Sequence, residues 1–274
     1  MKHAHRLRGQ RGFSLIEMMI ATVIFILLCG AAFALLSVAQ QRYQTESQVL
    51  NSFQEARFGL DEMVRDVDGA GYPPKNSFSF SISPPPAAYL YASTPVAWNP
   101  GYPNLPCLIG TGGGNCTTPS DFDLIVERDV DPWKHDGVEW TRYQLAGTVL
   151  SRAQTYKTGN DPDGTTSPAF VPYVQNVVNN ATAAQIAQFQ TVYPLMFPGG
   201  KPVPIFTYYC PNPLPPPATI ACSSAGSYNS PENITDVEIT LIVMSPTVDA
   251  QTGQPRLIEL QGRGHSLNPI QSAP

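Results

Sequence analysis

One acidic residue stands inside the most apolar stretch of this 274-residue chain. Glu17 follows the segment Phe13-Ser14-Leu15-Ile16, and from Met18 to Gln41 the sequence carries no charge over 24 residues. A carboxylate in the hydrocarbon core of a membrane costs about 2.5–3.5 kcal/mol on insertion scales, so such a residue is expected to have a function and a cationic partner. Glu17 is therefore the first candidate for chemistry.

The uncharged run predicts a helix that crosses a membrane, because it exceeds the ~20 residues that the hydrocarbon core requires. The basic residues before it are expected to stay in the cytoplasm, which directs the rest of the chain outward. These residues are Lys2, Arg6, Arg8 and Arg11. A cleaved signal peptide is the alternative, with Ala32-Phe33-Ala34 as its cleavage site, but its apolar core would be only about 7–15 residues long.

The string Arg11-Gly12-Phe13-Ser14-Leu15-Ile16-Glu17 resembles the leader of type IV prepilins and of type II secretion pseudopilins. In that family a prepilin peptidase cuts after the glycine and N-methylates the new first residue. The resemblance implies cleavage between Gly12 and Phe13, methylation of Phe13, and an assembly charge pair between the freed amine of Phe13 and Glu17 of a neighbouring subunit. An unpaired ion in hydrocarbon is costly, so such a pair also sets the register between subunits.

The helix is expected to continue beyond the membrane. An apolar stripe with steps of four and three residues predicts one buried helical face. Its members are Val49, Phe53, Ala56, Leu60, Met63 and Val67. Gly69, Gly71, Pro73 and Pro74 then predict the end of the helix. We expect this half to pack on the protein's own sheet, which leaves the half before Val49 for packing in a filament.

The rest of the chain is predicted to be rich in β-structure. All 28 prolines lie in the last 202 positions (274 − 72), which excludes a helical bundle there. Alternation of apolar and polar residues predicts antiparallel strands, with a hairpin tip at Ala146-Gly147 and a short helix at 181–189. The strand segments are 122–126, 138–143, 205–210, 234–244 and 256–261.

These segments predict an α+β fold in which an antiparallel sheet packs on the amphipathic half of the long helix. The resemblance implies a type IV pilin-like fold with proline-rich loops on the head. Its four parts are a leader peptide (1–12), a transmembrane and assembly helix (13–41), an amphipathic helix half that packs on the head (42–72) and a β-rich globular head (73–274).

Four cysteines in an exported domain indicate disulfides, and three connectivities are possible. Cys107 and Cys116 bracket a glycine-rich loop, whereas Cys210 and Cys222 bracket a proline-rich one. We favour the local pairing, in which each bond ties a loop with little core of its own. A zinc site is the alternative, but Cys-x-x-Cys spacing does not occur. The fifth cysteine, Cys29, is expected to be a packing residue in the membrane run.

One loop contains several potential metal ligands, because carboxylate oxygens can bind Ca²⁺. Its members are Asp129, Asp131, His135 and Asp136. Some pilins and pseudopilins bind that ion. The three aspartates are weak candidates only, because their spacing is not that of an EF-hand loop. We favour a solvated hairpin turn, and we expect neither a metal nor a cofactor.

No motif for a serine or cysteine nucleophile occurs. Asp121 with Asp123, and Glu127 with Asp129, share one side of a strand and imitate the carboxylate pair of a glycosidase. We expect both pairs to face solvent. The three tryptophans, Trp98, Trp133 and Trp140, are expected to serve the core and to anchor loops. The sequence therefore predicts a protein that is not an enzyme.

The charge balance argues against nucleic acid as a partner. The net charge is −5, and removal of residues 1–12 with their four basic side chains leaves 12 basic and 21 acidic residues, a net −9. A nucleic-acid surface would be basic.

The order of strands after the helix also resembles PilW-like minor pilins and the J-type pseudopilins of type II secretion.

That second resemblance implies a low-copy pilin subunit near the filament tip that primes or caps pilus assembly. Its partners would be other minor and major pilins or pseudopilins, the prepilin peptidase and the inner membrane. It would be made as a single-pass inner-membrane precursor with a periplasmic head, and would then enter a pilus or a periplasmic pseudopilus. The alternatives are a minor pseudopilin at the tip of a secretion pseudopilus, a tip adhesin, and an anchored periplasmic enzyme with two carboxylates facing across a cleft.

Overall fold

The fold is taken from a computed structural model. It describes residues 12–77, 87–105, 107–110, 115–134, 137–159, 162, 170–211, 219–222, 229–249 and 253–268. The chain divides into two compact units between Gln48 and Val49.

The first unit consists, where it is described, of the beginning of one long helix. Helix α1 runs over Leu15–Asp68, and its residues up to Gln48 form this unit. Their large apolar side chains are exposed, including Leu27 and Leu35. Within the described residues, α1 is the one helix long and apolar enough to cross a membrane, by its length and composition.

The described strands of the second unit form two antiparallel sheets. The first sheet has the strand order β1-β2-β3-β4-β5, and the second has the order β7-β6-β8-β9. The strands of the first sheet are β1 (Val96–Ala97), β2 (Asp123–Arg128), β3 (Glu139–Ala146), β4 (Val149–Tyr156) and β5 (Val171–Val174). Those of the second are β6 (Phe206–Pro211), β7 (Thr219–Ala221), β8 (Asp236–Val248) and β9 (Pro255–His265).

Short helices occupy several connections between strands. Helix α2 covers Ala183–Gln190, and it begins with a capping box in which Thr182 and Gln185 exchange hydrogen bonds. Among the described residues, four further segments form single 3₁₀ turns. They are Lys75–Ser77, Ala88–Leu90, Pro198–Gly200 and Pro231–Asn233.

The main core lies between the second half of α1 and the two sheets. Ala56, Leu60, Met63 and Val67 are buried there, and Phe53 packs against the same cluster from a partly exposed position. The strands contribute side chains such as Leu124, Tyr143, Val237, Ile239 and Leu241. The apolar stripe of α1 therefore packs on the protein's own sheets, as predicted.

Strand β8 is covered on both faces. Val237, Ile239 and Leu241 point into the main core, whereas Ile242 belongs to a second apolar cluster with Ile186 and Phe189 of α2. The buried Asn179 binds the backbone of β8, because its Nδ2 donates to the Thr240 carbonyl at 2.8 Å and its Oδ1 accepts from the Ile242 N–H at 2.7 Å.

Glycines allow edge strands to approach α1 closely. A Cβ atom at Gly264 of β9 would lie 2.6 Å from Cβ of Val67, and one at Gly262 would lie 2.8 Å from Cγ2 of Val64. On the helix itself, a Cβ atom at Gly59 would lie 2.5 Å from Cγ2 of Val174 in β5. These contacts leave no room for a side chain, so the glycines are required by packing.

The architecture is α+β, as the sequence predicted: a long N-terminal apolar helix precedes an antiparallel β-sheet head. The hairpin between β3 and β4 turns at Gly147, which has the positive φ of 60° that a tight hairpin turn requires. The three short strands β1, β5 and β7 were not predicted. They span 2, 4 and 3 residues, too few for alternation to be visible.

Candidate functional site

The candidate site is the start of α1. Gly12, Phe13 and Ser14 precede the first helical residue, Leu15, and all three are exposed. The Phe13 side chain is 84% exposed. The peptide bond between Gly12 and Phe13 therefore lies in non-helical, accessible chain, which is the form that a peptidase can bind.

Glu17 caps its own helix. Its Oε2 atom accepts a hydrogen bond from the backbone N–H of Ser14 at 3.0 Å, and the Ser14 carbonyl accepts the first helical hydrogen bond from the Met18 N–H at 3.2 Å. Ser14 is thus at the N-cap position and Glu17 is three residues further on, as in one half of a capping box. A carboxylate in the first turn also interacts favourably with the helix dipole. This contact holds the carboxylate near Phe13.

Gly12 is not required by the fold. A Cβ atom built at this position would have no atom within 4 Å, and the backbone there is not in the left-handed region. By contrast, the glycines at β9 are in tight contact with α1. Any requirement for glycine at position 12 must therefore come from another molecule that binds this segment.

Comparison with known proteins gives a match in this segment. Residues 7–33 match the family model of the prokaryotic N-terminal methylation motif. The match supports the type IV pilin and pseudopilin family. No curated protein matches the chain. No solved structure matches it either.

The prepilin-type motif and the apolar half of α1 together fit a membrane-anchored precursor. The motif implies processing by a prepilin peptidase and association with other pilins, and it favours a structural subunit over an enzyme. The α+β architecture is consistent with a type IV pilin-like fold. The match covers residues 7–33 only, so it carries no information about the fold of the head.

Two disulfides tie loops of the head. Cys107 is bonded to Cys116, and Cys210 is bonded to Cys222, which is the local pairing that the loop spacing favours. Cys210 and Cys222 lie in the main core. The described residue Cys29 of α1 is a free thiol.

The aspartates proposed as weak calcium ligands are engaged in a turn. Asp129 Oδ1 accepts a hydrogen bond from the Asp131 N–H at 3.0 Å, and Asp131 Oδ2 forms an ion pair with Lys134 at 2.7 Å. His135 and Asp136 lie outside the described residues. Across the described parts of the chain, no group of three or more His, Cys, Asp or Glu side chains is placed to hold a metal ion.

The prediction that Asp121, Asp123, Glu127 and Asp129 face solvent is wrong for Asp123 and Glu127, the two acids of β2. Glu127 is fully buried, and its Oε1 atom lies 2.5 Å from the ammonium of Lys157. Tyr102 and Trp140 also donate hydrogen bonds to Glu127, and burial beside this carboxylate raises the pKa of Tyr102. Both faces of β2 are covered, so alternation along the strand does not place its acids in water.

The second buried acid of β2 is Asp123, which Arg142 of β3 holds with two hydrogen bonds. Its Oδ2 atom lies 2.5 Å from Nη2 of Arg142. Each of the two buried β2 carboxylates is therefore matched by a cation, Arg142 of β3 for Asp123 and Lys157, which directly follows β4, for Glu127. Both join strands and loops of the head rather than line an open cleft.

A third buried acid was missed by the sequence analysis. Asp66 of α1 forms ion pairs with Arg128 at 2.5 Å and with Arg152 at 3.3 Å, and Tyr143 donates a hydrogen bond to it at 2.6 Å. Asp66 lies three residues after Met63 and seven after Gly59, so its position on the buried face was readable from the helical period. Its arginine partners lie on β2 and β4 and could not be predicted from the sequence.

The tryptophans divide between core and surface. Trp98 and Trp140 are buried, and both make edge-on ring contacts with Tyr102. Trp133, in the turn after β2, is instead 90% exposed. The expected core or anchoring role therefore holds for two of the three.

Proposed function

We propose that this protein is a low-copy type IV pilin subunit that primes or caps pilus assembly. In this proposal the prepilin peptidase cuts the precursor between Gly12 and Phe13 and N-methylates Phe13. The mature chain then leaves the inner membrane through the packing of its apolar helix against other subunits. The prepilin-type motif at residues 7–33 carries the proposal.

The exposure of the first half of α1 supports assembly through the helix. A surface of large apolar side chains that its own unit does not cover must be covered by lipid or by other proteins. The positions with the largest apolar side chains, such as Phe25, Leu28 and Phe33, are all more than half exposed. Lipid covers them in the precursor, and neighbouring helices cover them in a filament.

The disulfides support a periplasmic head. Disulfides form and persist in oxidising compartments, of which the bacterial periplasm is one. The basic residues before α1 are consistent with this direction of insertion. The proline-rich loops of the head favour a position near a filament tip, because in a shaft each subunit must pack against identical neighbours.

The processing step is tested by the intact mass and N-terminal sequence of the purified protein. We expect a chain that begins at Phe13 and carries one additional methyl group. Gly12→Leu should leave the precursor uncut, because a side chain at that position fits the protein itself and is therefore opposed only by the peptidase. Gly9→Leu is the matched control in the leader and should be processed normally. A native terminus at any other residue would reject the proposal.

The charge pair is tested by Glu17→Val. We expect this variant to insert into the membrane and to be cut, but to be depleted from purified filaments, because the amine of Phe13 then lacks its carboxylate partner in hydrocarbon. Thr22→Val is the matched control, since it removes a polar group from the same apolar segment without removing a charge. Equal incorporation of the Glu17→Val chain would contradict the charge pair.

A secretion pseudopilus is the second candidate for the same motif. The two candidates differ in what a deletion strain loses: surface filaments in the first case, and the release of secreted proteins in the second. A tip adhesin is the third, and the exposed Trp133 gives it a specific test. Trp133→Ala should lower the attachment of filamented cells without reducing the number of filaments.

A further inference from the structure

A groove lies along the second half of α1 where the helix passes β5. Its volume is about 410 Å³, and it is lined by Asn51, Gln54, Glu55, Phe58, Gly59, Glu62 and Tyr173. The helical members are spaced three and four residues apart, so they share one face of α1. All of them belong to the second unit.

The walls of the groove are aromatic. Phe58 is 74% exposed, although its neighbours Ala56, Gly59 and Leu60 on the helix are buried. Tyr173 of β5 forms the opposite wall, and its hydroxyl donates to Glu62 Oε2 at 2.9 Å. Burial and this hydrogen bond raise the pKa of Tyr173, so it remains a neutral donor.

The charges of the groove are acidic. Glu55 is exposed, and Glu62 has a side chain that is 46% exposed. The guanidinium of Arg152 lies 3.7 Å from Glu62 Oε1, but the same Nη2 atom lies 3.3 Å from Asp66 Oδ2. Arg152 is therefore shared between two carboxylates, of which Asp66 is also paired with Arg128, and the exposed Glu55 adds a further negative charge to the groove.

We propose that this groove binds a lysine or arginine side chain of a partner protein. An aromatic face attracts a cation through its quadrupole, and flanking carboxylates add ion pairs to the same group. Phe58 and Tyr173 provide the faces, and Glu55 and Glu62 provide the carboxylates. Aromatic residues, including phenylalanine, are also enriched at protein interfaces.

The partner is a different protein rather than a second copy of this chain. Without its first 12 residues the chain has 12 basic and 21 acidic residues, so two copies repel each other on average. We infer a partner with a basic surface. That this partner is another filament subunit rests on the function proposed above, whereas the chemistry of the groove does not.

The test uses the full-length chain in its native cells, with the photoreactive amino acid p-benzoylphenylalanine in place of Phe58. After irradiation, mass spectrometry identifies the attached peptide. We expect a peptide of another protein that carries lysine or arginine within a few residues of the attachment point. Glu55→Gln combined with Glu62→Gln should lower the yield about fivefold, because two ion pairs are lost.

Two controls make the result specific. Glutamine at position 62 still accepts the Tyr173 hydrogen bond, so the double variant removes charge and keeps that contact. Asp61→Asn removes an exposed acid of the same helix outside the groove and should leave the yield unchanged. Attachment to lipid, to a second copy or to a peptide without basic residues would overturn the proposal. An unchanged crosslinking yield in the double variant, or the absence of any crosslinked product, would overturn it as well.

The N-terminus of the chain is sequenced from the same cells. If the chain starts at Phe13 and the groove shows no charge-dependent product, only the groove proposal fails. If the chain is not cut after Gly12, the proposed function fails, and the groove result stands on its own.

Discussion

The two halves of α1 differ in what covers their apolar side chains. In the first half, Leu35 is 74% exposed and Gly30 has open space around it. In the second half, Ala56 and Met63 are fully buried against the sheets, and Gly59 touches β5. The same secondary structure thus serves two purposes. The second half is stabilised by its own chain, whereas the first half depends on other molecules for burial.

This difference predicts which substitutions change the stability of the head and which change only assembly. Stability is measured by guanidinium unfolding of the full-length protein in detergent, followed by tryptophan fluorescence. Trp98 and Trp140 are buried in the head, so their emission reports its unfolding.

The largest effect is expected for Asp66→Ala. Removal of this carboxylate leaves Arg128 and Arg152 without their buried partner, and breaking such a pair costs about 3–5 kcal/mol. Asp61→Ala, an exposed acid on the same helix, is the control and should change the free energy of unfolding by less than about 0.5 kcal/mol. Equal effects of the two variants would show that Asp66 does not hold the helix on the sheets.

Met63→Ala is expected to be nearly as severe. It creates a cavity in the main core, and such truncations lower the free energy of unfolding by about 2–5 kcal/mol. Leu35→Ala removes a side chain of similar size from the exposed half of α1 and should leave the unfolding of the head unchanged. If Leu35→Ala shifted the unfolding midpoint by as much as Met63→Ala, the contrast between the two halves would be wrong.

Gly264→Ala tests the difference between the two halves of α1 by adding a single methyl group. The new Cβ atom would lie 2.6 Å from Cβ of Val67 and 3.0 Å from the Val64 carbonyl oxygen, so backbone must move. Overpacking of this kind costs about 1–3 kcal/mol. Gly30→Ala meets no atom within 4 Å, and alanine is the better helix former. We therefore expect a lower unfolding midpoint for the first variant and no decrease for the second.

The smallest effect concerns pH. Burial alone would raise the pKa of Asp236, yet hydrogen bonds from Thr235 and Arg263, with a contribution from His265, lower it overall. A lowered pKa means that the ionised form stabilises the fold above about pH 4, and that this contribution is lost as the pH falls through the folded pKa. Arg263 is 45% exposed, so the pair contributes about 1 kcal/mol at most.

Asp236→Asn should remove this part of the pH dependence. The difference in the free energy of unfolding between the original protein and the variant should be largest above pH 4 and should shrink below it. A difference that is constant across this range would mean that the ion pair does not contribute.

Periodicity predicted the elements that are long. The apolar stripe of α1, its end at Asp68 and the strands β2, β3, β4, β6, β8 and β9 were all visible as helical or alternating patterns. The motif at the start of α1 was readable because its residues are consecutive. Both kinds of signal are local in sequence.

The features that could not be predicted from the sequence depend on contacts between residues that are far apart in the chain. Glu127 and Lys157 are 30 positions apart, and Asp66 and Arg152 are 86 apart. Neither pairing leaves a local pattern, so Glu127 was expected on the surface and Asp66 was assigned no role. The groove at Phe58 was concealed for the same reason, since one of its walls is Tyr173 of β5.

The position of the second disulfide has a consequence for the order of events in the cell. Both sulfur atoms of Cys210 and Cys222 are enclosed by apolar side chains of the main core. A folded oxidase is too large to reach thiols in such surroundings, so the oxidation must happen while this part of the polypeptide is still open. A folded molecule with both thiols free is therefore one that closed before it met an oxidant, and such molecules are counted by the thiols that can be labelled only after denaturation.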